Sequence, residues 1–266
     1  MNINNLNNEQ REAVTLTEGP LLVLAGAGSG KTKVLTTRVA YLIEEKKADP
    51  TEILAITFTN KAANEMKERI IKMLGEIAKD IQISTFHSFG LLILKEYYKF
   101  LGYKKNFTIL DSDDSLTIVK KAMKDLNLDP KVYNPNAIKN KISSAKNELI
   151  TPEKYEMIAS TDFEEKVVSV YKYYQNRLFT GNSVDFDDLL MLPIKLFNEY
   201  PEILKKYQER FKYILVDEYQ DTNEAQYTLT KMISAKYKNI CVVGDESQSI
   251  YSFRGSNYRN ILNFEK

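Results

Sequence analysis

Mostly apolar runs recur at Leu21–Leu24, Ile53–Ile56, Ile81–Ile83, Tyr213–Val216 and Ile240–Val243, each ending in polar or glycine-bearing residues. Runs of this length predict strands buried on both faces. Between several of them the spacing becomes helical, with Leu35, Val39, Leu42 and Ile43 on one stripe and Ala63, Met66, Ile70 and Met73 on another. Such alternation predicts right-handed βαβ units, that is, an α/β fold with a parallel sheet covered by helices on both faces. From about Ile109 to Val184 the strand pattern stops. Cap or turn signals at Asp111-Ser112, Asp129-Pro130, Asn134-Pro135 and Thr151-Pro152 predict helices there. The expected organisation is a sheet domain in two parts, 1–108 and 185–266, with a helical module at 109–184 inserted between them.

The chain has 266 residues, which at about 150 residues per domain suits a little under two domains. Its 43% hydrophobic and 27% charged residues exclude a disordered, collagen-like or membrane-embedded chain. Met1–Arg11 is polar, with neither the basic nor the apolar segment of a secretory signal, and a chain with a single cysteine fits a reducing cytoplasm, the expected location. Cys241 is the single cysteine, which rules out a disulfide framework or a cysteine-cluster metal site. His87 is the single histidine, so metal chemistry would use oxygen ligands. The 37 basic and 36 acidic residues nearly cancel, but Ser115–Asn147 holds seven lysines (120, 121, 124, 131, 139, 141, 146) against Asp125 and Asp129. That local excess of five is either a solvated face or a phosphate-contacting surface.

The strand at Leu21–Leu24 runs into Ala25-Gly26-Ala27-Gly28-Ser29-Gly30-Lys31-Thr32 and then into a helix-period segment. Glycines let backbone N–H groups turn toward phosphate oxygens, and a helix N-terminus adds favourable dipole. Lys31 would neutralise phosphate charge and the Thr32 hydroxyl would hold Mg²⁺. Ile214–Val216 delivers Asp217 and Glu218 at its end, a candidate metal ligand and a candidate base for the attacking water. Each of the five strands is followed by a motif-like polar segment, and in an open α/β sheet that shared edge is where ligands bind. Phe58-Thr59-Asn60-Lys61 and Ser249–Arg254 carry aromatics among hydroxyls, amides and cations, which suits stacking on bases; core packing is the alternative for each ring.

These residues resemble the UvrD/Rep/PcrA group of superfamily 1 DNA helicases. Leu6–Gln10 is similar to the group's adenine-reading motif, Gly26–Thr32 to motif I, Ile56–Ala63 (ITFTNKAA) to motif Ia and Ser84–His87 (STFH) to the DNA-contacting motif that follows. Val216–Asn223 (VDEYQDTN) is similar to motif II and Gly244–Gly255 (GDESQSIYSFRG) to motif III. The resemblance implies a RecA-like P-loop NTPase core interrupted by a helical subdomain, with ATP and Mg²⁺ as cofactors and single-stranded DNA and DNA junctions as partners. It implies that Gln10 reads adenine, that Ala25 to Lys33 surround the nucleotide, and that Gln248 senses the γ-phosphate. Phe58, Thr59, Asn60, Tyr251, Phe253 and Arg254 would line the single-strand path. Phe186 would be a base contact or a core anchor where the insertion rejoins the sheet. His87 would lie near DNA or be a structural histidine. Asp187 and Asp188 read as a helix N-terminal feature ahead of a catalytic dyad. Phe253, Ser247 and Lys33 stand where tryptophan, aspartate and arginine are frequent in the group, which bears on coupling and base recognition. The group also has a second RecA-like core after motif III, so the chain is expected to be the N-terminal part of a 3′-5′ helicase acting in repair or replication. The alternatives are a binding module without turnover, or the front end of a helicase-nuclease subunit.

Overall fold

The computed structural model describes residues 3–26, 28 and 30–245. The chain begins α1 (Asn8–Thr15), β1 (Leu21–Leu24), α2 (Lys31–Glu44), β2 (Ile53–Thr57), α3 (Asn60–Leu74), β3 (Gln82–Thr85) and α4 (Phe86–Tyr97). It continues through β4 (Thr108–Ile109), α5 (Ser112–Asp125), α6 (Pro135–Asn147), α7 (Pro152–Ile158), α8 (Asp162–Thr180) and β5 (Ser183–Val184). Then come α9 (Asp188–Glu199), α10 (Pro201–Arg210), β6 (Tyr213–Val216), α11 (Glu224–Ser234) and β7 (Ile240–Gly244). Two compact units result, residues 1–89 with 199–266, and residues 90–198.

The first unit is built on an all-parallel sheet in the order β1-β7-β6-β2-β3. Alternate strand residues divide between its faces. Ile53, Ala55, Tyr213, Leu215, Cys241 and Val243 form one core cluster with Leu35, Val39 and Leu42 of α2 and Met66 and Ile70 of α3. Leu54, Ile56, Ile214, Val216 and Val242, which point the other way, are just as buried. Both faces are therefore covered, which is why the strands read as apolar runs instead of alternating ones. Each Leu, Ile, Val or Met among them contributes about 1.5–3 kcal/mol on burial. Cys241 is a core residue, its thiol pushed up to about 11 by burial. Met73, placed by the sequence on the apolar stripe of α3, is 40% exposed, and the neighbouring Leu74 packs against the core cluster instead.

The second unit packs α5, α6, α7 and α8 around Val119, Ile138, Ile142, Val167, Val170, Tyr171 and Leu178. Asp111, Asn134 and Thr151 cap α5, α6 and α7 as their sequence contexts predict. The sequence-based junctions, after 108 and 184, fall at β4 and β5, a two-residue parallel pair inside this unit. The unit extends beyond them because Leu94 of α4 and Leu189 and Leu192 of α9 share a core cluster with Tyr103 and Val184. α4 meets α9 backbone to backbone: a Cβ on Gly90 would stand 1.7 Å from the Leu189 carbonyl oxygen, so only glycine fits.

The lysine-rich face needs one correction. Lys120, Lys121, Lys124, Lys131 and Lys141 are exposed and Lys139 is half-buried, but Lys146 is 0% exposed and paired with Asp185 and Asp188. Lys121 is paired with Asp125. Asp113 and Asp114 occupy the first turn of α5, just upstream of the stretch that carries the basic excess. The solvent-facing charge is smaller than the sequence count indicates.

Candidate functional site

Because all five strands run parallel, their C-terminal ends lie along one edge, and the strand order fixes which segments are neighbours. The glycine loop after β1 stands beside the end of β7, where the Ala25 amide donates to the Gly244 carbonyl at 3.0 Å. Gly28 and Gly30 adopt φ of +76° and +80°, the left-handed region that this loop needs and glycine supplies. Gly30 starts α2 with no side-chain cap among the described residues, whereas Asn7, Thr59 and Asn223 cap α1, α3 and α11. The first N–H groups of a helix so started can bind an anion. Gln10, distant in sequence, comes to the loop: a Cβ on Gly30 would lie 3.1 Å from Gln10 Nε2. The Oε1 of the same amide accepts from the Asn7 amide in a reciprocal cap. Lys33 Nζ donates to the Asn5 carbonyl at 3.3 Å. Both lie near an open cavity of about 510 Å³ lined by Asn5, Leu6, Lys33, Thr36, Arg69 and Met73, among others.

Lys31 Nζ lies 3.5 Å from Asp245 Oδ2 at the end of β7. Asp245 is buried, and its amide donates to Gln220 Oε1 at 3.0 Å, which ties the ends of β7 and β6 together. Asp217 follows β6. Its amide donates to the Ile56 carbonyl and its Oδ1 accepts from the Glu218 amide at 2.8 Å. Burial pushes the Asp217 carboxyl up, against the Glu218 amide and Lys31. Glu218 sits at φ 48°, ψ 44°, a left-handed conformation uncommon for a residue with a side chain. It reaches solvent, yet partial desolvation is the largest influence on its carboxyl and raises its pKa; Asp217 and Asp221 add to this and Lys31 opposes it. A raised pKa is what a carboxylate needs to take a proton. Thr32 and Asp217 offer hard oxygen donors, the set that suits Mg²⁺ when phosphate oxygens and water complete its shell. Among the described residues no cluster of three or more His, Cys, Asp or Glu forms an all-protein metal cage.

The β2 and β3 ends complete the edge. Phe58 and Phe86 meet edge to face at 5.5 Å between centroids. Phe58 is half-buried, and Thr59 and Asn60 are exposed. Thr59 also caps α3, its hydroxyl accepting from the Ala62 amide at 3.0 Å. His87 lies in the first turn of α4, and burial lowers its pKa to about 4, leaving a neutral imidazole at pH 7. In the helical unit Phe186 is 57% exposed, so it is not a core anchor. It lines a cavity of about 630 Å³ with Lys139, Ser143, Tyr174 and Asp187, among others.

The UvrD/Rep helicase N-terminal domain model matches residues 6–266. The chain belongs to this family. It is 54% identical over 99% of its length to the ATP-dependent DNA helicase PcrA of Bacillus subtilis, covering 36% of that protein. The PcrA proteins of Leuconostoc citreum and of Staphylococcus aureus strain Mu50 are each 52% identical over 99% of the chain, which covers 35% and 36% of them. The chain therefore spans about a third of the length of these relatives.

As a UvrD/Rep-type domain, it brings Gln10, Gly26, Gly28, Gly30, Lys31, Asp217 and Glu218 to one stretch of sheet edge, and Phe58, Thr59, Asn60 and His87 to the other. Ala27, Ser29, Gln248, Tyr251, Phe253 and Arg254 lie outside the described residues. The sequence reading missed Asp245 as the partner of Lys31. The signal was present, since Asp245 follows the apolar run of β7 as Asp217 follows that of β6.

Proposed function

We propose that this chain forms the ATP- and single-stranded-DNA-binding part of an ATP-dependent DNA helicase that translocates 3′ to 5′. The observation that supports it most is the shared edge: an uncapped glycine-loop helix with Lys31 lies at one end, Asp217 and Glu218 in the middle, and the Phe58–Phe86 pair at the other. Gln10 and Lys33 hold the adenine, and Ala25 to Thr32 surround the phosphates, with Lys31 neutralising their charge. Thr32 and Asp217 would hold Mg²⁺, which would supply charge stabilisation at the phosphates. Glu218, with its raised pKa, orients the attacking water and takes its proton. Phe58, Thr59, Asn60, Tyr251, Phe253 and Arg254 line the strand path, with bases stacking on the rings, and Phe186 is a further base contact. The unit of residues 1–89 and 199–266 serves as the RecA-like core and the unit of residues 90–198 as its inserted subdomain.

PcrA-like relatives about three times as long motivate a second proposal, that this stretch alone binds nucleotide and DNA with little turnover. One comparison tests both: steady-state ATPase of the full-length protein and of this chain, each with and without single-stranded DNA. Strong stimulation is expected in the former only. Glu218→Gln in the full-length protein should retain Mg-ATP while turnover disappears; turnover equal to the unsubstituted protein would remove Glu218 from the base role.

A further inference from the structure

Inside the helical unit one lysine and two aspartates are shut away from solvent. Lys146 and Asp188 are 0% exposed and Asp185 is 5%. Lys146 Nζ lies 2.8 Å from Asp185 Oδ2 and 2.8 Å from Asp188 Oδ1, and donates to Gln175 Oε1 at 2.9 Å. The Tyr174 hydroxyl donates to Asp185 Oδ2 at 2.7 Å, and Gln175 Nε2 to Asp188 Oδ1 at 3.2 Å. The aspartates also bind each other's backbone: the Asp188 amide donates to Asp185 Oδ1 at 2.8 Å and the Asp185 amide to Asp188 Oδ2 at 3.1 Å. Every carboxylate oxygen of the pair has a donor. Burial raises the Asp188 carboxyl and opposes the lowering of Asp185, while the two carboxylates outweigh burial at Lys146 and keep it charged.

Stability does not account for such a cluster, since apolar replacements of buried ion groups are often as stable. What it fixes is geometry. α6 and α8 clamp both ends of the span Asp185–Asp188, and the middle of that span presents Phe186, 57% exposed, at the rim of the cavity. We infer that Lys146 is a positioning residue for DNA binding: through Asp185 and Asp188 it holds Phe186 as a pre-set stacking face. This rests on the proposed contact between Phe186 and a base. A ring fixed in advance spends less binding free energy on ordering than one on a loose span.

The test is a mutant cycle in this chain, read by anisotropy of a labelled oligo-dT and by quenching of a single 2-aminopurine within it. Phe186→Ala should weaken binding by about 5- to 100-fold and remove quenching. Lys146→Met with Asp188→Asn keeps the formal charge of the cluster at minus one. It should melt cooperatively, lose quenching, and weaken binding comparably. Added to Phe186→Ala it should weaken binding no further. Multiplying losses would overturn the inference and leave the DNA reading intact. Unchanged affinity in Phe186→Ala would overturn the DNA reading and the inference with it. Should the double variant fail to fold, Tyr174→Phe removes one donor from Asp185 and carries the same logic. It should cost about 2- to 10-fold, and nothing in the Phe186→Ala background; a loss that persists there overturns the inference.

Discussion

Lys31 and Lys146 both sit on helices, and their surroundings give them opposite roles. Lys146 has no exposed side-chain surface and two carboxylates at 2.8 Å, whose contacting oxygens also accept from Tyr174 and Gln175 and whose other oxygens accept from backbone amides. Lys31 keeps 17% of its side chain exposed and has one carboxylate at 3.5 Å, beside a glycine loop whose helix lacks a side-chain cap. A lysine enclosed by donors and acceptors that complete one another fixes structure. A lysine with one long contact, next to amides that can bind an anion, has capacity for a ligand.

Four measurements break or sharpen this contrast. Lys146→Met alone leaves two buried carboxylates without their counter-ion and should cost about 3–5 kcal/mol of stability in denaturant unfolding, partly restored by adding Asp188→Asn. A loss under about 1 kcal/mol would erase the distinction. His87 marks the opposite case, a basic group whose pKa burial lowers. Its pKa of about 4, against 6.5 when unfolded, means that the unfolded chain binds the extra proton between those values. Its contribution is complete above pH 6.5 and is lost as pH falls toward 4, up to about 3 kcal/mol. His87→Gln should flatten that limb when unfolding midpoints are compared at pH 7.5, 5.5 and 4. Lys31→Met should weaken Mg-ATP binding by about 10- to 100-fold, the worth of a hydrogen bond to a charged group, while destabilising the fold less than Lys146→Met does. Calorimetric titration and melting read the two quantities. Lys139→Ala with Lys141→Ala should lower the salt slope of single-strand binding by about 1.4 if both contact phosphates. An unaltered slope returns that face to solvation.

The sheet was legible because strands covered on both faces must be apolar throughout, as Leu54 and Ala55 both show. The glycine loop was legible because its left-handed backbone restricts the residues allowed at Gly28 and Gly30. The burial of Lys146 was not. Locally it is one more lysine in a lysine-rich stretch, and its partner Asp185 lies 39 residues further along. Gln10 is intermediate: its cap with Asn7 is visible in the sequence spacing, its approach to Gly30 only in three dimensions. The extent of the helical unit was misplaced for a related reason. Strand periodicity stops at β4 and resumes after β5, but apolar side chains on α4 and α9 join the same cluster across that boundary.

The strand order also sets a distance. From β1 to β3 there are four inter-strand steps, each about 4.8 Å, so the phosphate loop and the Phe86 end are roughly 19 Å apart. That is about twice the screening length of physiological salt for charges facing water. An added or removed phosphate is therefore nearly silent, as a field through solvent, at the aromatic end. Under the proposed function, hydrolysis would therefore have to be signalled as displacement along the loops after β7, β6 and β2, the first two of which the Asp245–Gln220 hydrogen bond joins.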